Sequence, residues 1–293
     1  MMDKSYTSTF RIAGIFLSLH TNYPLEITSP FEPFLTDNSK NDILVEFQEV
    51  DEMDFSESNE KFSNLIFKVC EDTDGYCRVY HDHKDNDRPY AIGRIENDEY
   101  EEIKYLSNSR EFFNESSNAF SHIAFEELLL RRNAMILHAS YISTPYGGIL
   151  FSGPSGIGKS TQADLWVKHE DVRLINGDRT IIRQSDAVWQ AYGSPYAGSS
   201  RCFVDQSDPI RAIVILEQSN KCSIQKLSPA IAFMKVYAGM TVNTWNKEYV
   251  QKITNLLGQM ILEVPVYLLK CTPTKESVDL LKEQLEKEDG YES

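Results

Sequence analysis

The chain has 293 residues, 41% hydrophobic and 25% charged, the composition of a folded protein with a substantial core in one large domain or two modest ones. A formal net charge of −15 argues against sequence-independent binding to DNA or RNA, whose phosphates are held mainly by arranged Lys and Arg, so no nucleic-acid partner is expected. No run approaches the roughly 18 apolar residues of a membrane span, and residues 1–6 lack the basic start and apolar stretch of a secretion signal, so a cytoplasmic protein with no membrane partner is expected.

Up to about residue 115, short apolar runs such as Ile43-Leu44-Val45-Glu46-Phe47 and Leu65-Ile66-Phe67-Lys68-Val69 alternate with loops rich in Asp, Asn and Ser. They read as short strands of a β-rich N-terminal domain, residues 1–115, to which no chemistry is assigned. Between residues 49 and 60, six of twelve residues are acidic, which reads as a solvated loop, with a docking surface as the alternative. The five cysteines (Cys70, Cys77, Cys202, Cys222 and Cys271) are odd in number and scattered, so reduced thiols are expected. Cys70, Cys77, His81 and His83 crowd together, but their spacing fits no zinc pattern, and Asp82, Lys84, Asp85 and Asp87 among them read as a loop.

From Ser116 the pattern changes. Phe120, Ile123, Ala124, Leu128 and Leu129 recur near helical period and predict one helix that opens a second domain, residues 116–293. Residues 134–142 then read as a buried strand containing His138, Gly147-Gly148 as a turn, and 149–152 as a second strand. Further on the pattern predicts a helix at 160–168, a strand at 172–176, paired strands near 180–183 and 187–190, and a strand at 210–216. Helices follow from Ser228-Pro229 to 240 and over 247–262, then a strand at 264–269 and a last helix from Thr272-Pro273. The fold class is α/β, and the hairpin-like strand pairs predict a mixed sheet.

Gly153-Pro154-Ser155-Gly156-Ile157-Gly158-Lys159-Ser160 matches the phosphate-loop pattern at all its positions, after a predicted strand and before a predicted helix. Glycines there let successive N–H groups turn toward phosphate oxygens, and the following helix presents its positive end. In this pattern Lys159 reaches the β and γ phosphates, Ser160 coordinates magnesium, and the cofactor-binding set is Gly153, Ser155, Gly156, Ile157, Gly158, Lys159, Ser160 and Thr161. Phosphoryl transfer also needs a carboxylate near the metal. Asp178 follows an apolar run and should sit at a strand end, although Asn176-Gly177-Asp178 is also a good turn sequence. His138 is either a core histidine or, at the end of its strand, a group facing the phosphates. The turn Gly193-Ser194-Pro195-Tyr196-Ala197-Gly198-Ser199-Ser200-Arg201 either lines an acceptor pocket, with Arg201 neutralising phosphate charge, or is an ordinary surface loop.

Leu137-His138-Ala139-Ser140, the Gly153 to Ser160 loop, and Ile175-Asn176-Gly177-Asp178-Arg179 together resemble the successive motifs of HPr kinase/phosphorylase-like proteins, in the phosphoenolpyruvate-carboxykinase-like P-loop superfamily. The resemblance covers about residues 116–270. It implies a P-loop kinase domain that binds ATP, a histidine before the loop at His138, and Mg²⁺ binding and base catalysis on a serine hydroxyl at Asp178. Two features depart from that family. HPr kinases carry two adjacent aspartates where Gly177-Asp178 stands, and their C-terminal glycine-rich signature is replaced here by residues 193–201. The pattern looks closer to stand-alone HPr-kinase-like proteins beside ribosomal-peptide maturation systems, some of which phosphorylate serine in a precursor peptide.

The expectation is therefore an ATP- and Mg²⁺-dependent kinase acting on a hydroxyl of Ser or Thr in a peptide or protein, with Asp178, His138, Lys159 and Arg201 as catalytic residues and Ser160 and Asp178 at the metal. A small-molecule hydroxyl kinase and a nucleotide-binding regulator without turnover are the alternatives. A homo-oligomer is left open.

Overall fold

Alternation of inward apolar and outward polar side chains builds the N-terminal sheet. In β1 (Tyr6–Ile12), Phe10 and Ile12 are buried while Thr7 and Arg11 face solvent. The computed structural model describes residues 5–53, 59–82 and 88–289. These form two compact units, 1–131 and 132–293.

In the first unit β1 is followed by β2 (Ile15–Thr21), β3 (Leu35–Thr36), β4 (Ile43–Val50), β5 (Glu60–Ser63), β6 (Phe67–Asp72), β7 (Gly75–Asp82), β8 (Arg88–Asn97) and β9 (Tyr100–Leu106). Among the described residues they make one nine-stranded sheet of order β3-β1-β2-β4-β9-β8-β7-β6-β5. It is mixed, because β4 runs parallel to both β2 and β9. The run expected to begin at Leu65 starts as a strand only at Phe67; Leu65 and Ile66 are exposed, in a turn held by the Asn64 side chain. Cys70 and Cys77 face each other across β6 and β7 and pack with Val79 and Ile92. Of the crowded cluster, His83, Lys84, Asp85 and Asp87 lie outside the described residues, as do residues 54–58 of the acidic run. Among the described residues no group of three or more His, Cys, Asp or Glu could hold a metal, and the five thiols are free.

The helix expected from Ser116 is two short helices, α1 (Ser116–Ser121) and α2 (Phe125–Arg131). The break comes at Ala124, whose N–H donates to the buried Glu101 carboxylate at 2.9 Å. Both helices belong to the first unit, so the expected boundary near 115 lies instead after Arg131. The reason is packing: Phe120 meets Phe31 at 4.3 Å and Phe10 at 5.2 Å between ring centroids, and Arg78 bonds Glu126 and Glu127 of α2 at 2.6 Å each.

The second unit contains β10 (Ala134–Thr144), β11 (Gly147–Ser152), α3 (Lys159–His169), β12 (Arg173–Asn176), β13 (Arg179–Ser185), β14 (Val188–Tyr192) and β15 (Ser207–Gln218). After them come β16 (Ser223–Lys226), α4 (Pro229–Tyr237), α5 (Lys247–Glu263), β17 (Val266–Cys271) and α6 (Lys275–Asp289). Gly147 and Gly148 already belong to β11, so the expected turn sits at 145–146. β16 is an unexpected edge strand, too short and too polar to register as an apolar run.

This sheet is also mixed. β11, β15 and β17 are parallel neighbours, while β10, β13 and β14 are joined antiparallel. The pairings β10–β13–β14–β15–β11–β10 form a closed circuit. Phe151, Val214 and Leu269 of the parallel strands pack with Trp166 of α3 and with Val278 and Leu281 of α6. At roughly 25 cal/mol per Å² of apolar surface, this layer is a main source of the unit's stability. Among the described residues no helix is long and apolar enough to cross a membrane.

Candidate functional site

Three chain segments meet at the carboxyl end of β11. The first is the glycine-rich loop itself. Gly153, Gly156 and Gly158 have φ of 142°, 75° and 109°, left-handed values that a side chain would strain, and this conformation turns the chain into α3. Lys159 at the start of α3 is buried, and its ammonium donates to the carbonyls of Gly153 and Pro154 at 3.2 and 3.3 Å. It is thus folded over the loop rather than extended into solvent. Ser155, Gly156, Ser160 and Thr161 are exposed, with Ile157 partly buried against the core.

The second segment is β10. Ala139 pairs with Ser152, so His138 lies one residue beyond the point where β11 runs into the loop. Its backbone is fixed on several sides: the N–H donates to Gly239 at 2.8 Å, and the carbonyl accepts from the Ser152 hydroxyl at 2.9 Å. The imidazole is not core-packed. It is 43% exposed and its Nε2 lies 3.4 Å from Asp178 Oδ1.

The third segment is the turn between β12 and β13. Asn176 is fully buried, and its side chain organises the whole turn. Its Oδ1 accepts from the N–H groups of Asp178 and Arg179 at 2.9 Å each. Its Nδ2 donates to the carbonyls of Ser194 and Tyr196 at 3.1 and 3.2 Å. One amide therefore uses both ends to clamp the Asp178 turn to the 193–201 turn. Asp178 is 29% exposed, with Arg179 Nε 3.9 Å from its Oδ2. The Arg179 guanidinium lies over the Tyr196 ring, 5.8 Å from its centroid.

Close approach explains Gly177 and Gly198. A Cβ on Gly177 would fall 2.2 Å from Ser200 Oγ and 2.4 Å from its Cβ, which no side chain tolerates. A Cβ on Gly198 would lie 3.0 Å from both Cβ and Cγ of Asp178. The space beside Gly177 is thus filled by the 193–201 turn, which lies directly on Asp178.

Electrostatics couple the three segments. Burial first, then the positive charges of Lys159 and Arg179, hold the His138 pKa below its usual value, while Asp178 opposes them. The shift favours the neutral imidazole. Burial also lowers the Lys159 pKa, and Asp178 again works in the opposite direction.

His138, Lys159 and Asp178, singled out from sequence, are therefore neighbours. Arg201 is not joined to them: it is exposed, in a left-handed conformation with φ of 49°, and makes no ion pair or hydrogen bond among the described residues. Sequence reasoning missed Asn176 and Arg179 as parts of the site. The signal for Asn176 was present, since a polar residue closing an apolar strand run needs partners for its buried amide.

No family profile matches the sequence, and none of the curated proteins does. Among solved structures, the chain is similar to the HPr(Ser) kinase/phosphatase from Coxiella burnetii, at 13% identity over 54% of this chain and 94% of that one, with a TM-score of 0.34. A likeness this distant carries no argument about chemistry, which rests on the residues above.

Proposed function

We propose that the second unit is an ATP- and Mg²⁺-dependent kinase that transfers the γ-phosphoryl group to a Ser or Thr hydroxyl of a peptide or protein. The observation that carries this reading is the meeting of His138 and Asp178, 3.4 Å apart, with the glycine-rich loop and its folded-in Lys159. The residues fit each requirement of phosphoryl transfer, which is mostly positioning and charge stabilisation. Backbone N–H groups of the loop and Lys159 hold the phosphates. The acceptor oxygen attacks the γ-phosphorus, the bond to the β–γ bridging oxygen breaks, and the acceptor's proton passes to the Asp178 carboxylate. His138, whose neutral form burial favours, donates or accepts a hydrogen bond at a transferring oxygen. The hydroxyl of Ser160 and the carboxylate of Asp178 are hard oxygen donors suited to Mg²⁺, which when bound neutralises phosphate charge.

A peptide acceptor is favoured over a small molecule because the acceptor side is open: the His138 and Asp178 side chains are 43% and 29% exposed rather than enclosed. The test is transfer of labelled γ-phosphate from ATP with Mg²⁺ to Ser- and Thr-containing peptides, to HPr, and to free hydroxyl metabolites. Label on a peptide supports the proposal. Label on a metabolite alone moves the acceptor to a small molecule, and nucleotide binding with no labelled product favours a regulator without turnover.

A further inference from the structure

The five cysteines are scattered along the chain, yet strand register brings four of them into two facing pairs. Cys70 and Cys77 are register partners across β6 and β7, 2% and 3% exposed, and the Cys77 thiol donates to the Cys70 carbonyl at 3.7 Å. The second pair lies where β16 edges the sheet of the second unit. Ser223 of β16 pairs with Lys270 of β17 in antiparallel register, so the residue before it, Cys222, faces the residue after its partner, Cys271. Cys222 Sγ lies 3.8 Å from the Thr272 hydroxyl, and the Ser219 N–H closes the intervening turn on the Cys271 carbonyl at 3.1 Å. Burial first, and then the Cys222 thiol beside it, push the Cys271 pKa up to about 11. Both residues of this pair are half-buried, so a small reagent reaches them, whereas the first pair is sealed in the core.

We infer that Cys222 and Cys271 are a redox modification site, closing into a reversible disulfide when the protein meets a peroxide. The inference does not depend on the phosphotransferase reading. Directly opposed residues of antiparallel strands have Cα atoms about 4.5–5.5 Å apart, inside the roughly 4.4–6.8 Å that a disulfide spans, so the bond needs little backbone movement. Cys271, held protonated, is the resolving thiol, and Cys222 reacts first. The Cys222 thiol loses its proton and attacks one peroxide oxygen. The O–O bond breaks, the released hydroxide takes up that proton as water, and Cys222 becomes a sulfenic acid. The Cys271 sulfur then attacks the Cys222 sulfur; the S–O bond breaks, and the hydroxyl leaves with the Cys271 proton as a second water. Two thiols are oxidised and one peroxide is reduced. The new bond ties together the ends of segment 222–271, which contains α4, α5 and Gly239, whose carbonyl accepts the His138 N–H. Closing a loop of this length restricts the unfolded chain and so stabilises the folded one. Oxidation therefore stiffens the part of the second unit that backs His138.

The test treats the full chain with hydrogen peroxide, blocks the remaining thiols with iodoacetamide under denaturing conditions, and maps the cysteines by peptide mass spectrometry without reduction. The inference predicts a peptide linked through Cys222 and Cys271 that dithiothreitol separates, with Cys70 and Cys77 recovered as alkylated thiols. Scanning calorimetry should show a melting temperature higher by about 5 °C or more in the oxidised protein than in the reduced one. Cys222→Ser and Cys271→Ser should each abolish both the linked peptide and the rise. Cys271 packs partly against the core, so Cys222→Ser, at the end of an edge strand, is the variant whose reduced form should melt within about 2 °C of the native protein. Cys222 and Cys271 recovered unlinked, whether as thiols or as separate sulfinic acids, would overturn the inference. So would a linked peptide with no rise in melting temperature, or an equal rise in Cys222→Ser.

Discussion

At the residue scale, the site depends on three charges acting on one imidazole. Burial and the Lys159 and Arg179 charges lower the His138 pKa, and Asp178 raises it, so the substitutions should move it in opposite directions. Lys159→Ala should shift the His138 titration upward, and Asp178→Asn should shift it downward. Both are read from the pH dependence of the imidazole proton signals by NMR. Shifts of the same sign would mean that these groups do not surround His138. His138 itself illustrates what sequence could and could not say. Sequence placed it at the end of its strand, whereas it lies in the middle of β10, one residue before the pairing partner of Ser152. Whether the ring faced the core or the loop depended on the register with β13 and on the Gly239 contact, neither of which is local.

At the element scale, the turn carrying Asp178 is held by Asn176 from within and by the 193–201 turn from outside. The tight fit at Gly177 gives a test. Gly177→Ala should push Ser200 away and loosen the turn lying on Asp178, costing about 1–3 kcal/mol of stability, as overpacking typically does. Adding Ser200→Gly removes the clashing atoms and should restore much of the melting temperature and of the activity. A Gly177→Ala protein as stable and active as the native one would show that the two turns are not in contact. β10 and β15 were legible as continuous apolar runs buried on both faces, and α5 because its apolar residues recur at helical period. The predicted single helix after Ser116 was not, because its interruption is a tertiary event: a buried carboxylate on β9 captures the Ala124 N–H. The same carboxylate sits 0% exposed beside Arg78, a partner distant in sequence that no local pattern could supply.

At the scale of the whole molecule, stability should depend on pH through two buried groups of the first unit. Burial, opposed by the Ala124 N–H and Arg78, raises the Glu101 pKa from 4.5 to about 8. The folded state therefore holds a proton that the unfolded chain gives up, and the stability this confers is complete below pH 4.5 and lost as the pH rises through about 8. Burial lowers the His122 pKa from 6.5 to about 4, so its contribution has the opposite sense, present above 6.5 and lost as the pH falls through about 4. Glu101→Gln, which keeps an acceptor for Ala124, should lose less melting temperature than the native protein between pH 6 and pH 9, measured by scanning calorimetry; equal losses would contradict the buried-proton account. The division of the chain was only partly legible. Composition marked two domains, but the α1 and α2 side chains that set the boundary find their partners on β1 and β7, more than forty residues earlier. The central claim, that the loop and the Asp178 turn form one phosphotransfer site, is tested most directly by measuring nucleotide affinity and γ-phosphoryl transfer on the same preparations of native protein and Asp178→Asn. The account predicts that the variant still binds ATP while transfer falls about 10²- to 10⁴-fold, the range for loss of a general base. A variant that transfers phosphate at the native rate would contradict it.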